Sequence, residues 1–136
     1  MYKTLLLMLL GLFLFSCANT RILKAEKVKV IPGVPSGTLV IRFSLEVELK
    51  KQTEFLSLKI DDSPKHYTFS VINLKSNQQG SNKVVYPKGK YLLQIDLPFD
   101  AKFENTKSML AIELKSNKMI TILTKPTDSL KVLNLR

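Results

Sequence analysis

The sequence has few of the residues on which catalytic and metal sites are most often built. Its 136 residues include one cysteine, one histidine and no tryptophan. A single thiol excludes a disulfide within the chain, and a lone histidine lacks the partners of a zinc site. The Gly-x-Ser-x-Gly elbow of serine hydrolases is also absent. We therefore expect no enzyme activity, no metal and no cofactor.

Three polar side chains are nevertheless candidates for an alternative function as a hydrolase. His66 follows a turn signal at the start of a strand pattern, where an exposed histidine is the simpler interpretation. Glu46 and Glu48 alternate on one strand, which places them about 7 Å apart, a separation compatible with glycosidase carboxylates. The alternation also puts them on the solvent face beside Arg42 and Lys50, and this favours ordinary ion pairs.

Long hydrophobic runs are scarce, and the longest one lies at the start of the chain. Residues 5–15 are all apolar or glycine, and Lys3 precedes them. A membrane-spanning helix needs about 20 apolar residues, so this run is too short to cross a bilayer. A basic start followed by a short apolar run is typical of an export signal.

The residues that close this run, Leu14, Phe15, Ser16 and Cys17, resemble the lipobox of bacterial lipoproteins. In that pattern an aliphatic residue lies three positions before the cysteine, and a small residue lies directly before it. Phe15 is larger than the usual occupant of its position. The resemblance implies that residues 1–16 are a signal peptide and that Cys17 carries a diacylglycerol, often with a further fatty acyl group on its amino end.

The lipobox resemblance also implies a location. Cys17 would be the first of 120 mature residues, anchored in a membrane, with residues 17–25 as a tether and 26–136 as one domain. In such lipoproteins an aspartate directly after the cysteine favours the inner membrane. Ala18 is at this position, which indicates the outer membrane, with the domain facing the periplasm. An ordinary secretory cleavage site and an uncut leader are the alternatives.

Beyond the tether, apolar residues alternate with polar ones. The longest alternation predicts a strand buried on one face, and it consists of Leu39, Ile41, Phe43, Leu45, Val47 and Leu49. Shorter alternations and frequent turn signals bring the predicted count to seven to nine strands. The fold class is therefore all-β, an antiparallel β-sandwich, with a small up-and-down β-barrel as the alternative.

Local patterns predict several connections within this fold. The strand at 56–60 and the one at 67–71 are expected to form a hairpin, because Asp61-Asp62-Ser63-Pro64 between them favours a turn. Residues 75–83 contain no apolar side chain and predict an exposed loop, whereas residues 99–107 allow a short helical turn.

One short segment carries a second resemblance. Gly89-Lys90-Tyr91 is similar to the Gly-x-Tyr at the start of a strand in immunoglobulin-like domains. In those domains a tyrosine hydroxyl is bonded to the backbone of a nearby corner. The resemblance implies an immunoglobulin-like sandwich in which Tyr91 has this role.

The charge balance indicates which partners the domain can have. Lysine and arginine number 21 against 11 acidic residues. Anionic lipid or envelope polysaccharide fits this balance, as does a plain solvated surface, while nucleic acid is not expected. A further envelope protein is another partner class, with strand edges and the 75–83 loop as contact regions. Phe55, on the polar face of its predicted strand, is a candidate for a contact patch.

Overall fold

The computed structural model describes residues 3, 20–34, 36–104, 106–128 and 130–134 of the chain. Ten strands and a one-turn 3-10 helix, Ala101–Phe103, lie within these residues. The strands are β1 (Arg21–Ile31), β2 (Val40–Leu49), β3 (Thr53–Ile60), β4 (Ser70–Asn73), β5 (Gln79–Ser81), β6 (Val85–Tyr86), β7 (Gly89–Pro98), β8 (Met109–Ser116), β9 (Met119–Pro126) and β10 (Lys131–Asn134).

The strands form two sheets that pack face to face. The larger sheet has the order β10-β1-β2-β7-β4-β5, and the smaller has the order β6-β3-β8-β9. Neighbouring strands are antiparallel throughout, except that β10 pairs with β1 in parallel. Both sheets have open edges, so they do not close into a barrel. The predicted β-sandwich is confirmed.

The clearest alternation in the sequence forms the middle of the core. Every second side chain of β2 turns inward, and those of Ile41, Phe43, Leu45, Val47 and Leu49 are fully buried. The opposite face of this strand is half-exposed. Because β2 pairs along its whole length with β7 and along nearly all of it with β1, this register fixes which residues of those strands face inward.

A bulge in β3 reverses the predicted orientation of Phe55. Phe55 pairs with Leu114 and Ser57 pairs with Glu113, so Leu56 is an extra residue on one side of the ladder. The extra residue changes the phase of the alternation, and Phe55 and Leu58 both face the core with no exposed area. The predicted contact patch at Phe55 is therefore wrong.

Phe55 packs instead into an aromatic cluster between the sheets. Its ring centroid lies 6.1 Å from that of Tyr91 and 6.5 Å from that of Phe69, both in edge-on geometry. Tyr86 covers the cluster, 5.2 Å from Tyr91. Such edge-to-face contacts add to the free energy of simple burial, by about 0.5–1.5 kcal/mol for each pair.

The hairpin predicted for residues 56–60 and 67–71 is wrong. Only Leu58 and Tyr67 pair across it, as an isolated antiparallel bridge. After this bridge the chain leaves the small sheet, and β4 pairs with β7 in the large sheet. The turn at Asp61 and Asp62 is present, but it begins a crossing between the sheets.

Tyr91 makes the hydroxyl contact that the Gly-x-Tyr pattern implies. Its side chain is 1% exposed, and its hydroxyl donates a hydrogen bond of 2.8 Å to the carbonyl oxygen of Pro87. Burial, with a smaller contribution from Tyr86, raises the pKa of this phenol above its ordinary value. The hydrogen bond fastens the start of β7 to the preceding corner.

Other segments of the chain also agree with or differ from the predicted elements. Strand β1 begins at Arg21, within the segment expected to be a tether. The predicted loop 75–83 includes the exposed edge strand β5, and the helical turn expected within 99–107 is the 3-10 helix.

Strands β8 and β9 form a hairpin whose loop residues, Asn117 and Lys118, have φ angles of 50° and 63°. Positive φ at both positions is the requirement of a type I′ turn.

We predict that Phe55→Ala lowers the free energy of unfolding by about 3–5 kcal/mol, because it leaves a cavity beneath the aromatic cluster. The neighbouring Leu56→Ala is the matched control, with an expected loss below about 1.5 kcal/mol since Leu56 is only half-buried. Urea unfolding of both variants measures the difference. A larger loss at Leu56 than at Phe55 would contradict the bulge.

Candidate functional site

The antiparallel strands bring the turns of the sandwich together at two opposite ends. Arg21 pairs with Glu48, and Leu49 pairs with Gly89, so β1 and β7 begin where β2 ends. The turns that share this end are residues 50–52, 74–78, 87–88 and 117–118. We call these turns, together with Thr20, the basic end.

The turns of the basic end contain lysine and no acidic residue. Their five lysines are all exposed, and they are Lys50, Lys51, Lys75, Lys88 and Lys118. These residues are far apart in the sequence, and the fold gathers them. With no carboxylate in the same turns, the positive potentials of the lysines reinforce one another.

The carboxylate of Glu48, near the end of strand β2, neutralises cations at this end. Glu48 receives Lys50 in a close ion pair and Arg21 at 3.5 Å. The close contact with Lys50 has the largest of the effects that hold the pKa of Glu48 below its usual value. Glu48 is therefore occupied by two cations, and the other turn lysines have no ion pair with a described residue.

Apolar side chains accompany the lysines at the basic end. Met119, next to the β8–β9 turn, is 71% exposed, and Leu74 is 38% exposed. Between Met119 and Thr20 is an open cavity of about 340 Å³, which Leu114 and Leu123 also line. The basic end thus presents both cationic and apolar groups to its surroundings.

The opposite end of the sandwich has the reverse balance of charge. Its connections are residues 32–39, 61–69, 99–108 and 127–130. They contain five acidic residues and three lysines, in order Asp61, Asp62, Lys65, Asp100, Lys102, Glu104, Lys107 and Asp128. The domain is therefore electrostatically polar along the direction of its strands.

The four residues of the predicted lipidation site, Leu14, Phe15, Ser16 and Cys17, lie outside the described residues. Thr20 is the nearest described residue on their side of the sandwich, and it lies at the basic end. Cys17 is three residues before Thr20, a distance that an extended chain spans in at most about 11 Å.

His66 lies on the outer surface of the small sheet beside a serine. Its Nδ1 is 3.0 Å from the Oγ of Ser57, and Glu113 lines the same open cavity of about 300 Å³. A catalytic triad also needs a group that orients the imidazole through its second nitrogen. Among the described residues no carboxylate bonds to the ring of His66, and the pair is an incomplete catalytic arrangement.

The two glutamates proposed as catalytic carboxylates are both in strand β2. Glu46 and Glu48 lie on the outer face of β2, as expected, and Glu48 has the ion pairs described above. Arg42 does not bind either glutamate, because it forms a two-pronged contact with Asp96 across the ladder, with a shortest distance of 2.8 Å.

Asp61 has a turn role as predicted. Its carboxylate accepts the N–H of Met109 at 2.8 Å, and its own N–H donates to the carbonyl oxygen of that residue. The two contacts hold the turn after β3 against the first residue of β8.

The described ranges hold no group of three or more side chains that could bind a metal ion. No helix in them has the length and apolar character of a membrane-spanning segment. Comparisons with protein-family models, with curated proteins and with solved structures gave no match to this chain.

Lys27 is a buried cation that the sequence pattern did not single out. It faces inward from β1 and is 1% exposed. Its Nζ donates to the carbonyl oxygen of Thr106 in a short contact and to Ser108 Oγ at 3.2 Å, and it lies 6.0 Å from the ring centre of Phe103. Burial lowers the pKa of Lys27 below 10.5, an effect that Asp61 opposes only in part.

We predict that Lys27 makes stability depend on pH in the alkaline range. Because its pKa is lower in the folded state, the unfolded chain holds the proton more tightly, and stability from this residue rises as pH approaches 10.5. The wild type should therefore gain stability relative to Lys27→Met between about pH 7 and pH 10, as measured by urea unfolding.

Lys24→Met on the same strand is the control. Glu26 raises the pKa of Lys24, so the stability difference from wild type should not rise between pH 7 and pH 10, and it should begin to fall as the pH nears 10.5. A flat difference for Lys27→Met as well would show that its ammonium is not desolvated.

Proposed function

We propose that the chain is a lipid-anchored, non-catalytic module of a bacterial cell envelope that binds or supports another envelope component. The observation that carries this proposal is the lipobox-like segment Leu14 to Cys17, which contains the one cysteine of the chain. All ten strands lie between Arg21 and Asn134, after that segment. In this proposal the sandwich is the mature domain and residues 1–16 are its signal peptide.

The position of the first strand supports a short tether. Strand β1 begins four residues after Cys17, so a lipid on that cysteine would keep the sandwich next to the membrane. Two or three acyl chains hold a protein on a bilayer stably, because each buried methylene contributes about 0.8 kcal/mol. Ala18 favours the outer membrane, with the domain facing the periplasm.

The proposal that the module is non-catalytic is supported by the contacts of its candidate catalytic side chains. Glu48 is bound to two cations, and Asp61 fastens a turn. His66 and Ser57 contact each other on an open sheet surface, where water competes for every hydrogen bond. A binding role is the better fit to a domain whose exposed features are strand edges and charged turns.

We also propose that the sandwich is immunoglobulin-like. Its support is the order β1-β2-β7-β4 facing β3-β8-β9, which corresponds to strands A-B-E-D facing C-F-G of the constant-type domain. The tyrosine corner differs in place, since Tyr91 lies on β7, the counterpart of strand E. In immunoglobulin domains the corner tyrosine lies on strand F.

The proposal predicts a lipid on Cys17. The full-length chain, produced in a Gram-negative bacterium, should be recovered from the membrane fraction with Cys17 as its first residue and with the mass of a diacylglycerol and an acyl group added. Intact-mass and peptide mass spectrometry measure this. The matched variant Cys17→Ser should lack this added mass in the same measurement.

Recovery of the wild type with an unmodified Cys17, or with Met1 still present, would overturn the proposed anchoring. Urea unfolding of the Cys17→Ser chain is the folding control, since residue 17 lies before the first strand.

A further inference from the structure

We propose that the basic end is a docking face for an anionic lipid surface, so that the sandwich stands on the membrane with its strands directed away from it. The inference rests on the proposed anchoring at Cys17 for the orientation of the anchored protein. The docking face itself is made of described residues, and its affinity for anionic lipid can be measured without the anchor.

The first support is the separation of charge. Five exposed lysines are in the turns of the basic end, and five of the acidic residues are in the connections of the opposite end. A surface of phosphate-bearing head groups attracts the first end and repels the second. Each lysine within reach of such a surface strengthens binding by roughly fivefold to tenfold.

The second support is the apolar content of the same face. Met119 and Leu74 extend beside the lysines, at 71% and 38% exposure. Apolar side chains surrounded by basic ones are typical of segments that lie in the head-group region of a bilayer. An anionic polysaccharide would satisfy the lysines but would leave Met119 and Leu74 in water, and we therefore favour lipid as the partner.

The third support is the place where the chain enters the sandwich. Thr20 lies at the basic end, beside Lys51 and Met119 in the wall of the open cavity. A lipid anchor on Cys17 would bring this end, and not the acidic one, to the membrane. The tether, the lysines and the apolar side chains thus all act on one face.

The test compares two triple variants in a full-length chain that carries Cys17→Ser, so that lipidation does not affect the result. One variant is Lys51→Glu, Lys75→Glu and Lys88→Glu at the basic end. The other is Lys65→Glu, Lys102→Glu and Lys107→Glu at the acidic end, which makes the same change in net charge on residues that are also exposed. Their partition into phosphatidylcholine vesicles containing about a third phosphatidylglycerol is measured at low and high salt.

We expect the basic-end variant to bind these vesicles at least about tenfold more weakly than the parent, and the acidic-end variant to stay within about threefold. The difference should shrink at high salt and in vesicles of phosphatidylcholine alone, because screening and the loss of lipid charge remove the attraction. Leu74→Ser with Met119→Ser should also weaken binding to vesicles, but not binding to heparin as a polyanion without an apolar phase.

Equal losses for the two triple variants would overturn the proposal, as would a loss by the basic-end variant that is equally large in vesicles without phosphatidylglycerol. A loss by the basic-end variant on heparin but not on vesicles would assign the lysines to polysaccharide and would equally overturn it. Absence of a lipid on Cys17 is detected separately by mass spectrometry and would remove only the proposed anchor.

Discussion

Burial of one face of the central strands between two sheets is the constraint on which this structure depends. Strand β2 meets it by strict alternation, and all five of its inward side chains are fully buried. Strand β3 meets it through a bulge that turns both Phe55 and Leu58 inward. The bulge permits the contact between Phe55 and Tyr91, and this contact joins the small sheet to the large one in the same aromatic layer.

The sequence pattern predicted the fold class because period-two alternation is a property of single strands. It did not predict the partner of each strand. The turn at Asp61 is compatible with a hairpin and with a crossing to the other sheet, and only the long-range pairing of β4 with β7 distinguishes them. Phe55 was misplaced for a related reason, since one inserted residue changes the phase of an alternation without leaving a mark in composition. Lys27 is buried because the carbonyl and hydroxyl of a distant loop receive its ammonium.

The candidate site was only partly visible in the sequence. Predicted anchoring at Cys17 depends on a local motif and needs no fold, whereas the basic end has no motif. Its lysines are in separate turns. They lie at the same end of the sandwich because alternate connections of antiparallel strands are at the same end. The segment from β5 through β6 crosses between the sheets and returns Lys88 to that end, and no local pattern indicates such a crossing.

The separation of charge between the two ends of the sandwich acts on a nearby surface only at short range. Strand β2 has ten residues, which span about 33 Å, whereas charges in physiological salt are screened beyond about 8 Å. A bilayer that touches the basic end would therefore attract the lysines, while the acidic connections would be several screening lengths away and exert little repulsion. Net charge alone would pull the domain toward an anionic surface in any orientation. The separation of charge along the strands would select one orientation, and the proposed anchor on Cys17 would select the same one.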